Sequence, residues 1–326
     1  LGKIAMITQQ SWMFHKSFSK LRHDPEAGSN RYSASILTNT TIETLAHLGA
    51  GAFEEISGEV VNTVLFIISK NAPLKAHKIK SFKLTNFRNS NEKRLLIQNL
   101  VRDDVSGCSF SPYQSDFLNI AYSPIIYNVS SEIIRLLIDS KKLYMLSDVK
   151  QGMATADNNR FTRCFWEARN SRRWKIYAKG GGYSKWSGLN WLCVDWENKG
   201  VRLDNFGKSV IRNREFYFKE GLTYSPISGG ALGTRFFENG VFDVKGASIF
   251  PKVKTISRYT IAAHLNTHLA SYFSRIISQG LELHVGYLAN IPIPNNWAVS
   301  AEKIAKICRV LKESIISYDV VESDFF

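Results

Sequence analysis

Cysteine is scarce and scattered: Cys108, Cys164, Cys193 and Cys308 lie far apart, with no CxxC pair. That usage argues against a disulfide framework and a structural zinc site, and it fits a reducing cytoplasm. Long apolar runs are missing too; the longest, around Val64–Ile68, is strand-sized and far short of a bilayer span. Neither a signal-peptide pattern nor a basic amphipathic helix with a clean apolar face occurs, so no membrane partner is expected. Gly207-Lys208-Ser209 looks like the end of a phosphate loop, but Arg202 holds the place of the required upstream Gly. A Gly-rich dinucleotide fingerprint is also lacking. His264 and His268 stand at i, i+4, a spacing that can pinch a metal. Leu265, however, occupies the place of a zinc protease's Glu and no third ligand is evident, so no metal site is expected. The last shortage is of acid: 28 Asp and Glu against 42 Lys and Arg leave a formal net charge of +14, which favours a polyanionic partner.

Half of that charge sits in one stretch. From Arg160 to Lys185 eight Lys or Arg residues, Arg169 among them, meet a single acid, Glu167. Phe161, Phe165, Trp166, Trp174, Tyr177, Tyr183 and Trp186 are threaded through the same window. Basic side chains neutralise phosphates, while rings stack on bases or pack the scaffold beneath. Gly180-Gly181-Gly182 lets the backbone approach a ligand closely. The pattern predicts a nucleic-acid surface; the alternative is a solvated basic face over a partly aromatic core.

Length and patterning predict an α/β protein of two domains. Ile4–Thr8 reads as a short buried strand, followed by a helical run through Leu21 and Arg22. Val60–Ile68, rich in β-branched residues, reads as a central strand entered by a turn at Gly58-Glu59. Residues 1–75 are therefore expected to form the trailing half of an α/β sheet. Residues 76–129, polar and charge-mixed with a helix around Glu92–Val101, are expected to be a linker and approach segment, and 130–326 a mixed α/β domain. That domain should open with an amphipathic helix over Ser130–Lys141 and contain a hairpin at Glu238-Asn239-Gly240. A long helix is expected over Tyr259–Ser278, with Leu269 in its apolar stripe. A final helix over Ala298–Ile316 should turn Ile304, Ile307, Val310 and Leu311 inward. The chain opens on Leu1 rather than Met and reads as the middle of a longer protein.

The run Lys150-Gln-Gly-Met-Ala-Thr-Ala-Asp-Asn-Asn-Arg-Phe161 resembles the KQGLxTGDNxRF signature of the PglX family, adenine-specific DNA methyltransferases of BREX phage-defence systems. The similarity continues through Lys179–Trp186, Trp196-Glu-Asn, Tyr217–Tyr224 and Phe242–Pro251, and includes Ile4–Phe14 and Gly51–Val61. The ending Leu283–Pro294 is similar to the close of recognition domains in restriction-modification specificity proteins. There are departures. Ala156 stands where the signature has Gly. Neither the family's Gly-rich cofactor loop nor its Asn-Pro-Pro-Tyr motif occurs in this chain.

The resemblance implies the end of a Rossmann-like methyltransferase domain followed by a DNA target-recognition domain. It implies double-stranded DNA as partner, other BREX components, and a DNA-mimic phage inhibitor as a further possible partner. S-adenosylmethionine would be bound by upstream residues, with no catalytic residue in this chain, which alone should be inactive. Adenine N6 is out of reach inside a duplex, so the base is extruded; the family analogy makes Phe53 the ring that stacks on it. Arg and Lys suit guanine edges and Asn and Gln suit adenine. Gln151, Asn158, Asn159, Arg160, Arg172, Arg173 and Lys175 are thus candidate base readers, with Lys150, Lys179, Lys185, Arg212 and Lys252 as phosphate contacts. The alternatives are a specificity module of another restriction-modification enzyme, and a basic scaffold binding an acidic protein.

Overall fold

The structure is a computed structural model that describes residues 2–26, 35–54, 61–102, 107–168, 171–227, 230–280, 282–297 and 299–323. Arg169 and the expected turn at Gly58-Glu59 lie outside the described residues. The chain divides into two compact units, 1–139 and 140–326, and is mixed α/β in both.

In the first unit, β1 (Lys3–Gln9), β2 (Thr41–Gly49), β3 (Thr63–Ser69), β4 (Lys80–Lys83) and β5 (Ser109–Phe110) form one mixed sheet, ordered β1-β3-β2-β4-β5. Only the β2–β4 pair is parallel. β2 sits at the centre because Ile42, Leu45, Ala46 and Leu48 give it apolar side chains for both faces. On one face the Ser90–Arg102 helix lays Leu96, Ile97 and Leu100 over Ala46, Leu48 and Phe82. Asn89 accepts the Glu92 amide at 2.9 Å and so starts that helix. Burying Leu100 alone contributes roughly 2 kcal/mol. On the other face Trp12 meets Phe66 edge-on at 5.1 Å, and the buried His47 shares a hydrogen bond of 2.7 Å with the Tyr127 hydroxyl.

Two expectations change here. Residues 76–129, read as a linker, supply β4 and β5 to the sheet and hold it together through Arg22. The fully buried guanidinium of Arg22 donates to the carbonyls of Trp12 (2.6 Å), Tyr122 (2.7 Å) and Ser123 (2.8 Å). The division accordingly falls at 139/140, which leaves the Ser131–Asp139 helix with the first unit. Ile4–Thr8, read as a buried strand, is instead an outer strand whose Ile4, Met6 and Ile7 are about half exposed. Its apolar spacing was real, but among the described residues no strand lies beyond it to bring cover.

The second unit contains β6 (Ser147–Lys150), β7 (Thr162–Cys164), β8 (Trp174–Ala178), β9 (Leu192–Asp195), β10 (Gly221–Tyr224), β11 (Thr234–Phe237), β12 (Val241–Phe242) and β13 (Ser248–Pro251). They make two four-stranded sheets, β11-β10-β13-β6 and β12-β8-β9-β7. An aromatic core joins Phe161, Tyr177, Trp196, Phe237, Phe242 and Phe250. Tyr217 stands edge-on to Phe242 at 5.1 Å, a favoured geometry of aromatic pairs. Two of the seven rings of the basic stretch, Phe161 and Tyr177, are therefore scaffold, whereas Trp166 and Tyr183 are about half exposed.

Three local expectations fail for tertiary reasons. The Asn239-Gly240 turn exists, with Asn239 at φ 53°, but it is not a hairpin: β11 joins one sheet and β12 runs parallel to β8 in the other. The long helix breaks into Arg258–Leu265 and His268–Ile277, because Asn266 bonds the Thr234 backbone at both amide atoms and Thr267 caps the second helix. His264 and His268 thus do not share one helix, and Leu269 is exposed. The final helix, Val299–Ile316, packs through Ala305 and Ile316, while Ile304, Ile307, Val310 and Leu311 face outward.

Candidate nucleic-acid interface

The basic stretch opens at the end of β6 and turns at Ala156, whose φ of 60° is left-handed. This is where the related signature carries Gly, the residue that adopts such a φ without strain. Asp157 then accepts the Arg160 amide at 3.1 Å and starts a single helical turn, Asn158–Phe161. The turn buries Phe161 in the core and leaves Asn158, Asn159 and Arg160 exposed. The Arg160 guanidinium lies over Phe161 and Phe206, 5.3 and 5.0 Å from the ring centres, which orients it while keeping its edge in solvent.

A second loop is latched to this one. Ala154 and Val210 exchange backbone hydrogen bonds of 2.8 and 2.9 Å. Ser209 Oγ donates to the Thr155 carbonyl at 2.8 Å, and Asn213 Nδ2 donates to the Gln151 carbonyl at 2.8 Å. The exposed Arg212 is thereby carried to the same rim, together with the exposed Lys208. Lys208 was missed because Gly207-Lys208-Ser209 was weighed only as a phosphate loop.

The other predicted cations fall into different classes. Arg172 is exposed on the approach to β8, and Lys175 is half-buried on that strand. Arg173 clamps the buried Asp195 with two bonds, Nε to Oδ1 at 3.0 Å and Nη2 to Oδ2 at 2.7 Å. Arg202 adds a third at 2.9 Å, so Arg173 is not a free base reader. Lys179 donates to the buried Asp243 at 2.6 Å, and Asp243 also accepts from the Tyr177 hydroxyl and the Lys245 amide. Lys185 donates to the Asn266 carbonyl at 2.7 Å. Both expected phosphate contacts are held by internal partners. Lys150 lies near Asp148 (3.5 Å) and over the Phe216 ring. Lys252 follows β13 at the Ser147 end of β6, opposite to Lys150, and the structure does not bring it to the rim. Asp195 and Asp243 were the functional omissions of the sequence reading. Their only signal was a carboxylate closing an apolar strand, Leu-Cys-Val-Asp195 and Val-Phe-Asp243.

The triple glycine also has an internal reason. A Cβ on Gly180, which sits at φ 78°, would lie 1.6 Å from the Lys245 carbonyl oxygen. Gly181 faces open space. Close packing of two backbones, rather than a ligand, demands glycine at Gly180.

Phe53, in the first unit, is 42% exposed beside an open cavity of about 720 Å³ that also involves Gly51, Phe87 and Arg88. Gly51 adopts φ 66°, and a Cβ there would lie 2.2 Å from the Arg88 carbonyl oxygen. Behind the loop the buried Lys93 donates to the Ala50 carbonyl, and burial lowers the Lys93 pKa. The half-exposed ring is free to stack on a planar group. Among the described residues no three His, Cys, Asp or Glu side chains gather to hold a metal, and no helix is long and apolar enough to cross a membrane.

With the geometry in place, the chain can be compared with known proteins. It is 30% identical over 320 residues to the adenine-specific methyltransferase PglX of Lacticaseibacillus casei (strain Zhang), covering 90% of this chain and 25% of the relative. It is 29% identical over 306 residues to the adenine-specific methyltransferase BrxX of Escherichia coli O9:H4 (strain HS), covering 90% and 24%. The chain thus spans about a quarter of the length of these curated relatives. No family model matches it. Its fold is similar to the Type IIL restriction-modification enzyme MmeI in complex with DNA, with a TM-score of 0.52 at 10% identity over 96% of this chain and 42% of that one. The ATP-dependent Type ISP restriction-modification enzyme LlaBIII bound to DNA gives 0.50 at 11% identity, over 95% and 25%. The resemblance read from Lys150–Phe161 and its companion motifs is borne out by the two methyltransferases.

Proposed function

We propose that this chain is the C-terminal portion of a PglX-like, site-specific DNA N6-adenine methyltransferase, and that its second unit recognises the DNA target. The observation that carries the reading is the rim formed by the two latched loops. There Asn158, Asn159 and Arg160 meet the loop of Lys208 and Arg212, all exposed, on a scaffold of two packed sheets. Arg and Asn are the side chains that read guanine and adenine edges, and the Lys and Arg around them suit phosphates. Gln151, Arg172, Lys175 and Lys150 extend the surface; Arg173, Lys179 and Lys185 shape it from behind. Lys252 is left out of this surface.

In the same reading the first unit contributes to the methyl-transfer domain, with Phe53 stacking on the extruded adenine. The outer strand β1 is the edge at which further strands of such a sheet would pair. S-adenosylmethionine would supply the methyl group. This chain carries neither the Gly-rich loop nor the Asn-Pro-Pro-Tyr motif, so its own residues do not fit the cofactor and the chain alone should not methylate. The partners of the reading are double-stranded DNA, the other BREX components and a DNA-mimic inhibitor.

Titration with duplex DNA across salt tests it. Binding through phosphate contacts loses affinity steeply as salt rises, with a log–log slope of about −0.9 per contact. Five or six contacts on the rim predict a slope near −5. Absence of binding at low salt would remove the recognition reading for this chain.

A further inference from the structure

Resting on the recognition reading of the second unit, we propose that the turn after β9, residues 197–200, is a third DNA-contacting loop. In it Lys199 meets a backbone phosphate and Asn198 a base edge. Asn198 (φ 47°, ψ 44°), Lys199 (φ 60°, ψ 31°) and Gly200 (φ 86°, ψ 19°) are three consecutive residues in the left-handed region. Glycine takes this conformation freely and Asn tolerates it, but for Lys it is strained. Gly200 has a packing reason, since a Cβ there would lie 2.9 Å from the Trp196 ring. Packing gives no such reason for Asn198 and Lys199. Both are exposed, and neither side chain has a hydrogen bond or ion pair among the described residues. Open turns elsewhere in the chain use glycine instead, as at Gly181 (φ 86°) and Gly207 (φ 71°), where a side chain would meet nothing. A strained Lys kept at an open position points to a use for its side chain.

Strand register carries the turn to the rim. β7 and β8 both pair antiparallel with β9, with Thr162 opposite Val194 and Trp174 opposite Asp195. The starts of β7 and β8 and the end of β9 therefore share one end of the sheet. The Asn158–Phe161 turn precedes β7, Arg172 precedes β8 and the 197–200 turn follows β9, so the three flank one another. The chain then runs through the Val201–Asp204 helix to Phe206 and on into the Lys208–Arg212 loop. The Phe206 ring stands edge-on to Phe161 at 5.1 Å and lies under Arg160. The base of the turn is held from both sides. The Trp196 amide donates to the Arg173 carbonyl at 2.9 Å, and Arg173 and Arg202 converge on Asp195. Arg173 also stands 3.8 Å from Glu197, the one acid of the turn, and offsets its charge. A loop fixed in this way meets DNA at little ordering cost.

The test is a titration of the 326-residue chain with a mixed-sequence duplex across salt. Lys199→Gly should lower affinity about eightfold at 0.1 M salt and flatten the log–log slope by about 0.9. Because glycine relieves the left-handed backbone, this variant should unfold at or above the parent's denaturant midpoint, so lost binding is not lost fold. Lys199→Arg, which keeps the charge, should keep both affinity and slope. Asn198→Gly should leave the slope unchanged but flatten the preference at one position when duplexes are enriched from a random pool. A Lys199→Gly variant that binds as the parent does would overturn the proposal; the recognition reading survives that result if Arg160→Ala weakens binding. A parent chain that binds no duplex at low salt would overturn both. An Asn198→Gly variant with the parent's site preference, or a parent that enriches no site, would remove Asn198 from the base edges.

Discussion

Arg172 and Arg173 are neighbours in sequence with the same charge, yet their replacement by Ala should have opposite consequences. Arg173 holds Asp195, which is 1% exposed, through two charge-assisted bonds, and Arg202 supplies one more. Such bonds are worth about 1.5–3 kcal/mol each, and stripping a buried ion of its last partner costs about 3–5 kcal/mol. Since Arg202 remains and Arg173 is about one-third exposed, Arg173→Ala should cost roughly 2–3 kcal/mol of unfolding free energy. Arg172 is exposed, so its loss should stay within about 0.5 kcal/mol. On DNA the order reverses: Arg172→Ala should lower affinity and reduce the salt slope by about 0.9. Chemical denaturation and duplex titration, run on both variants, separate the two effects. If Arg173→Ala weakens DNA binding while unfolding at the parent's denaturant midpoint, the clamp on Asp195 is not structural and Arg173 is itself a contact. If Arg172→Ala leaves affinity and slope unchanged, Arg172 lies off the interface.

Ala156→Gly should stabilise the protein by about 0.5–1 kcal/mol, the relief of a left-handed Ala less the entropy of Gly, seen as a higher denaturant midpoint. Gly180→Ala should cost more than about 4 kcal/mol or prevent folding, because its Cβ would lie 1.6 Å from the Lys245 oxygen; a soluble variant with parental stability would refute the packing argument. The buried His47 has its pKa lowered to about 4 by desolvation, so it is neutral in the folded state. A folded pKa below the unfolded value near 6.5 means the stability it confers is full above pH 6.5 and is lost as pH falls toward 4. Between pH 7 and 5 the loss should be roughly 2 kcal/mol, and it should be absent from the same comparison made on His47→Gln.

The amino-acid sequence by itself determined the sign and the concentration of the charge and the mixed α/β character. Both follow from sums and periodicities: the excess of Lys and Arg over acid, the clustering of half of it before Lys185, and β-branched runs such as Thr63–Ser69. It also marked one of the rim's two loops, since the Asp157 cap and the turn that exposes Asn158–Arg160 depend on neighbours within four residues. Only the tertiary structure decided which cations are free. Arg173, Lys179 and Lys185 meet Asp195, Asp243 and Asn266 from 22 to 81 positions away, and a charge satisfied over such a span leaves no local mark. The same holds for the Val299–Ile316 helix and for β1. An apolar stripe says that a face wants cover, but which stripe faces inward is settled by what packs against it, and that is a property of the fold rather than of the segment.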